Sequence, residues 1–558
     1  MYGEDVRRLL LLMTLVTASW AQSPYDRFFD EFYFPDNPTT ATASGIHKYD
    51  SELEDYSQAG IAKQTAKLKQ FEAEFAKLPE SPDRDLVLSN IRAALLELET
   101  VKMWERNPDN YSSGISQSAF TIMSRNFAPQ DVRLKALIAR ERKMPRVLQD
   151  ARVNLKNPPK IYTEVALEQL PGIEDFFAHD VPLAFKDVKD AQLLKDFDVS
   201  NKAVIAALQD YEKFLKTDLL PRSNGDYRLG AEKFSRKLLY EEMVDVPLDR
   251  LLKIGYENLH ENQKRFQEVA AQIDPKKTPR QILDGLEKDH PPADKLLDAF
   301  RETCVKLLAF IQEKKIITVP SKVLPVLEET PPFMRALTTA SMDTPGPYEE
   351  VAKEAFFNVT LPEKTWAPAR VEDYMEGFHK GTILSTAIHE AYPGHYIQFL
   401  WMQHVDSRVR KLLGASSNAE GWAHYCEQML LDEGYAKEDP RMRLGQLQDA
   451  LLRNVRFIVG IEMHTGKRTF EDSVTAFEKE GYQVHEVALK EAKRGTSNPT
   501  YLYYTLGKLQ ILKLREDYKK KMGAKYSLEA FHDAFMQQGF PPIKIVRKAL
   551  MGDDSPTL

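Results

Sequence analysis

Apolar residues recur every three or four positions through most of this chain, and that period is the strongest limit on its fold. Six long runs carry it before residue 315: 61–78, 85–104, 129–157, 183–217, 248–272 and 293–314. Charged residues fill the intervening positions, as amphipathic helices require. A helix with one apolar stripe must bury it against a neighbour, so a mainly α fold follows. Prolines cut the runs apart at Asn157-Pro158-Pro159, Asp274-Pro275 and His290-Pro291-Pro292. From Ile316 the texture changes. "IITVPSKVLPVLEETPPFMRALTTA" and "EAFFNVTL" (354–361) are rich in β-branched and aromatic residues and poor in helix formers. They predict a small sheet between Ile316 and Leu361. Helical spacing then returns over 371–390, 393–413, 419–431, 440–464, 470–481 and 501–522. The expected plan is a helical lobe over 22–315 and a second lobe over 316–558, where the sheet lies beside the helices that carry chemistry.

Charge and cysteine usage exclude several functions. A formal net charge of −7 is the wrong sign for nucleic-acid binding. The two cysteines, Cys304 and Cys426, cannot supply a disulfide framework, although one bridge between them is open. Neither lies in a Cys-x-x-Cys pair, so a metal site must use histidine and carboxylate. Residues 1–21 read as a signal peptide: Arg7-Arg8, an apolar stretch from Leu9 to Ala18, then Ser19-Trp20-Ala21. A periplasmic or secreted protein is expected. No later segment is long and apolar enough to span a bilayer.

"HEAYPGHYIQ" (389–398) carries two histidines and a glutamate with unusual spacing. The familiar zinc-hydrolase pattern places its histidines four residues apart on one helix. Here they are six apart, which is roughly 120° around an α-helix. Pro393 cannot donate to the carbonyl of His389, and its ring clashes there. The helix must therefore end or kink, and Gly394 eases the turn. His389 and Glu390 then close one helical segment while His395 opens the next, and both imidazoles can meet one ion. The alternative is a proline kink with two unrelated histidines.

A second cluster follows in "NAEGWAHYCEQML" (418–430), where Glu420, His424 and Glu427 share one helical face. Glu420 is the first choice for a third ligand, with Glu427 and His424 orienting a ligand histidine. Further on, Arg456 and His464 are eight residues apart, roughly 80° around a helix. Arg456 could pair with a substrate carboxylate and His464 could donate to an oxyanion. Of Tyr501, Tyr503 and Tyr504, one could be an oxyanion donor and the others packing.

These segments resemble the DUF885 family, whose signature is similar to His389-Glu390-Ala391-Tyr392-Pro393-Gly394-His395 with Gln398. "GIHKYDSELEDYS", "YRLGAEKF", "AEGWAHYCE", "RFIVGIEMHTGKRTFEDSVTAF" and "YYTLGKLQILKLR" resemble its blocks in the same order. The resemblance implies a zincin-like helical metallohydrolase. It implies His389, His395 and Glu420 as metal ligands, Glu390 as general base, Tyr504 as oxyanion donor, and Arg456 and His464 as members of the site. Tyr396 departs from the pattern, standing where many members have a second consecutive histidine.

Together these features predict a zinc-dependent hydrolase of peptide or small amide substrates. A strand over 356–361 could pair with an extended peptide. The rival from another class is a non-catalytic helical binding protein. A two-metal carboxylate site ranks lower, because such sites need Glu-x-x-His pairs from two helices.

Overall fold

The computed structural model describes residues 22–331, 335 and 338–558. The expected signal peptide at 1–21 lies outside the described residues. The chain is mainly helical with one small sheet. The helices that build the centre are α1 (Leu248–Ile273), α2 (Leu296–Lys314), α3 (Lys380–Glu390), α4 (His395–Met402), α5 (Ser416–Asp432), α6 (Pro440–His464), α7 (His485–Ser497) and α8 (Tyr503–Met522).

Several expected runs are split, each by an identifiable breaker. The run over 129–157 becomes Gln130–Glu141 and Met144–Asn154, with Pro145 in the first turn of the second helix. The run over 371–390 is interrupted at His379, whose Nδ1 caps α3 by accepting from the Gly381 N–H. The run over 393–413 stops at Met402 and restarts at Arg408, where the Ser407 hydroxyl accepts from Arg410 N–H. Helix α7 was not among the expected runs. Among the described residues, no helix is long and apolar enough to cross a membrane.

The sheet has three strands, β1 (Val326–Glu329), β2 (Ala340–Asp343) and β3 (Phe356–Val359), in the order β1-β3-β2. β3 pairs parallel with β1 and antiparallel with β2. It is the central strand, so both its edges are filled, and the expected pairing of a peptide with 356–361 is ruled out. The free edge nearest α3 belongs to β2. Thr339 C=O accepts from Thr360 N–H at 2.9 Å, which sets the antiparallel alternation. Ala340 and Met342 therefore turn their backbone groups away from β3.

Apolar packing explains why the sheet and α3 are neighbours. Phe300 and Leu307 of α2, Phe357 and Val359 of β3, Ile383 and Ile388 of α3, and Trp422 of α5 share one buried core. A second core joins Leu259 and Phe266 of α1 to Leu447, Leu451 and Phe457 of α6. Packing thus runs across residue 315, and helices from both expected lobes enclose the centre. Cys304 and Cys426 are both free and buried.

Helices α5 and α8 approach through glycine. A Cβ on Gly421 would lie 2.5 Å from the Gly507 Cα, and one on Gly507 would lie 1.8 Å from Ser417 O. Only bare backbone permits that distance. It brings Glu420 of α5 and Tyr504 of α8 to the same place.

Candidate metal centre

The helix breaks where the sequence predicts. α3 ends at Glu390 and α4 begins at His395. The Gly394 N–H donates to Ile388 C=O at 3.0 Å, folding the linker back onto α3. Gly394 is obligatory for that fold, since a Cβ there would lie 1.8 Å from His389 O. His389 Nε2 is 3.3 Å from Glu420 Oε2, and His395 Nε2 is 3.5 Å from the same oxygen. The three ligand atoms lie within 4.8 Å of one another. Tetrahedral zinc with bonds of roughly 2.05 Å separates its ligand atoms by about 3.3 Å, so the donor set fits that ion. Glu420 Oε2 and His395 Nδ1 are buried without hydrogen-bond partners.

The groups behind the triad are held by one another. His389 Nδ1 is 2.7 Å from Glu427 Oε1, which fixes the ring and leaves Nε2 for the centre. Glu427 is itself held by Arg453 at 3.1 Å and by His424 Nδ1 at 3.1 Å. Burial alone would raise the Glu427 carboxyl, but Arg453, His424 and His389 outweigh it and hold it well below the usual range. For His389, burial disfavours the charged ring, yet the carboxylates of Glu420 and Glu427 beside it carry its pKa up to about 10. Glu420 is depressed by both histidines against the cost of burial.

Glu390 is raised by burial, with His389 and His395 partly offsetting it and Glu420 adding to it. Its Oε2 accepts from Met342 N–H at 3.0 Å, so the outward face of β2 positions it. The Tyr504 ring lies along His389, with centroids 6.4 Å apart and planes 29° apart. Burial and the Glu420 charge raise its phenol to about 12, keeping the proton at neutral pH.

Arg456 and His464 sit apart from the triad's donor atoms in different ways. Arg456 is ion-paired with Glu491 through two bonds of 2.6 and 2.8 Å, and its guanidinium lies over the Tyr504 ring. His464 Nε2 is 2.8 Å from Gly495 C=O, and its ring packs against Tyr227 and Phe234. Burial lowers its pKa to about 4. Its nitrogen therefore faces a backbone carbonyl on α7. Tyr501 is fully buried packing, as expected for two of the three tyrosines. Tyr396 donates to Val323 C=O at 2.6 Å and takes no part in the centre.

Sequence reasoning missed three contributors. Arg453 and Arg494 lie in no motif that points to the centre, and the Met342 amide carries no side-chain signal. A cavity of about 410 Å³ lies elsewhere, beside the first turn of α5, lined by Lys237, Glu241, Glu242, Ser416, Asn498 and Tyr503 among others. None of the triad lines it.

Comparison with known proteins agrees with this picture of the fold. The model of a family described as "Bacterial protein of unknown function (DUF885)" matches residues 38–550. A solved structure from Shewanella oneidensis, called a "putative lipoprotein of unknown function", is 26% identical with a TM-score of 0.80. It covers 96% of this chain and 100% of its own. A second structure, from Colwellia psychrerythraea and also named as a lipoprotein, is 18% identical with a TM-score of 0.79. It covers 95% of this chain and 99% of its own. No curated protein matches.

Proposed function

The chain belongs to the DUF885 family of bacterial proteins of unknown function, and from its geometry we propose that it is an exported, zincin-like metal-dependent hydrolase of short peptides. The observation that carries this is one carboxylate oxygen of Glu420 set 3.3 and 3.5 Å from the two imidazole nitrogens of His389 and His395. These three residues would hold zinc. Bound there, zinc would supply Lewis acidity for activating water near neutral pH and polarising an amide carbonyl.

The chain's own groups do the rest. Met342 N–H holds one oxygen of Glu390, leaving the other to take the proton of the attacking water. A raised pKa suits Glu390 to give that proton to the departing nitrogen. Tyr504, protonated at neutral pH, donates to the carbonyl oxygen as it gains negative charge. The Glu427 carboxylate keeps His389 in one tautomer. The outward Met342 C=O and Ala340 N–H of β2 are left for an extended peptide to align on, the role first expected of 356–361. Glu427 and His424 are occupied with each other, His389 and Arg453, which disfavours a second metal between them.

The test is metal analysis followed by digestion of a peptide library read by mass spectrometry. One zinc per chain is expected, with cleavage lost in Glu390→Gln while zinc is retained. A protein that binds no zinc, or a fully active Glu390→Gln variant, overturns the proposal. The zinc-free result favours a binding protein on this scaffold.

A further inference from the structure

Three guanidinium groups surround the Tyr504 ring: Arg456 at 5.0 Å, Arg453 at 5.6 Å and Arg494 at 5.9 Å from its centroid. Three cations this close repel one another unless each is neutralised. Two of them are. Arg453 pairs with Glu427, and both oxygens of Glu491 are engaged by Arg456. Arg494, on α7, has no carboxylate within ion-pair distance among the described residues. Its Nη2 is 3.3 Å from the Tyr504 hydroxyl, and its side chain is only partly buried. A guanidinium carries five N–H donors in a planar fork. Here one donor touches the phenol, and among the described residues no other side chain takes the rest.

That leaves a planar donor fork with no carboxylate bonded to it, one tyrosine away from His389. Carboxylates are the ligands such a fork fits best. We infer that Arg494 binds a carboxylate of the substrate, so that the hydrolase acts on short peptides read at an anionic end. The inference rests on the proposed hydrolase activity and replaces Arg456 in the role the sequence suggested for it. Arg456 is unsuited because its fork is already filled by Glu491. The carboxylate can come from the peptide's C-terminus or from an acidic side chain, and binding distinguishes the two.

The probes are a tripeptide acid, its C-terminal amide, and an amide of the same length bearing an aspartate. Calorimetry with the zinc-loaded Glu390→Gln protein reads their affinities without turnover. The acid is expected to bind roughly 10- to 100-fold more tightly than the plain amide, the usual range for a charge-assisted bond. Arg494→Gln should abolish that difference and leave the amide unchanged, and Arg494→Lys should restore part of it. Arginine-dependent tight binding of the aspartyl amide supports the same site and assigns it to a side-chain carboxylate. Equal binding of the acid, the plain amide and the aspartyl amide, binding of none of them, or an equal loss for all in Arg494→Gln overturns the inference. The last result is what a merely structural role for Arg494 in holding Tyr504 would give. Acid preference without turnover by the wild-type enzyme overturns the hydrolase and spares the carboxylate site. Turnover without acid preference does the reverse.

Discussion

Replacing Gly394 with alanine tests the joint between the two histidines directly. The new Cβ would stand 1.8 Å from His389 O, 2.4 Å from Ile388 O and 2.5 Å from the His389 carbonyl carbon. Ordinary close C···O contacts are about 3.3 Å, so the linker must open by about 1.5 Å. All three atoms are backbone, and two belong to the residue whose ring is a proposed ligand. No side chain can rotate away to relieve the contact. Metal–ligand distances tolerate only about 0.2 Å, so His389 and His395 could not both keep their places beside Glu420. Overpacking a well-filled interior costs about 1–3 kcal/mol, and a collision with backbone belongs at the upper end.

Two measurements follow. Denaturant unfolding of Gly394→Ala should show a loss of about 3 kcal/mol, with helicity retained because most of the chain packs elsewhere. Competition with a chromophoric chelator should show zinc affinity reduced at least about 100-fold, beyond the 10–100-fold typical of an outer-shell loss. Wild-type stability in this variant refutes the linker geometry, whatever the metal does. Lost stability in a protein whose wild type binds no zinc spares the geometry and refutes the metal assignment.

Other perturbations separate the supporting groups. Glu427→Gln keeps the side-chain volume but removes the charge that holds His389, and should weaken zinc binding about 10- to 100-fold by the same chelator assay; unchanged affinity would show that His389 needs no such support. Tyr504→Phe should lower kcat about 100-fold or more with KM little changed, as removal of an oxyanion donor does; a pure KM effect would remove the phenol from that role. Glu141, far from the centre, is raised to about 8 by burial despite a hydrogen bond from Ser200 at 2.5 Å. A carboxyl with a raised folded pKa contributes stability that is complete below its unfolded value and lost as pH rises through the folded value. Unfolding free energy should therefore fall by a few kcal/mol between pH 5 and pH 8.5, and Glu141→Gln should remove most of that slope; parallel pH profiles would refute the buried neutral acid.

What could be read in the sequence, and what could not, follows from how far each group travels. His389, Glu390 and His395 lie within seven residues, and the proline and glycine between them dictate a break whatever surrounds it. Glu420 shares a helix face with His424 and Glu427, so one periodicity supplied all three. Helix boundaries were blurred where an amphipathic pattern runs through a breaker, as at Pro145 and His379. Arg494 and the Met342 amide reach the centre only by packing of α7 and β2, and neither has a local pattern. β3 was visible as a strand, but alternation cannot tell a central strand from an edge.

The pairing of Arg456 with His464 failed as a shared cleft for a more instructive reason. Eight residues leave two side chains roughly 80° apart around a helix, and also carry the second about 12 Å along its axis. The angular offset and the axial rise together gave them different neighbours. Arg456 meets Tyr504 and Glu491, and His464 meets the carbonyl of Gly495, four residues further along the same helix α7. Both residues of α6 thus find a partner on α7, Arg456 at Glu491 and His464 at Gly495. Arg494 lies between those two residues in α7, and among the described residues no carboxylate comes within ion-pair distance of it. The two residues that the sequence read as substrate contacts face a seam between two helices, and the carboxylate-binding group proposed in their place is on the partner helix.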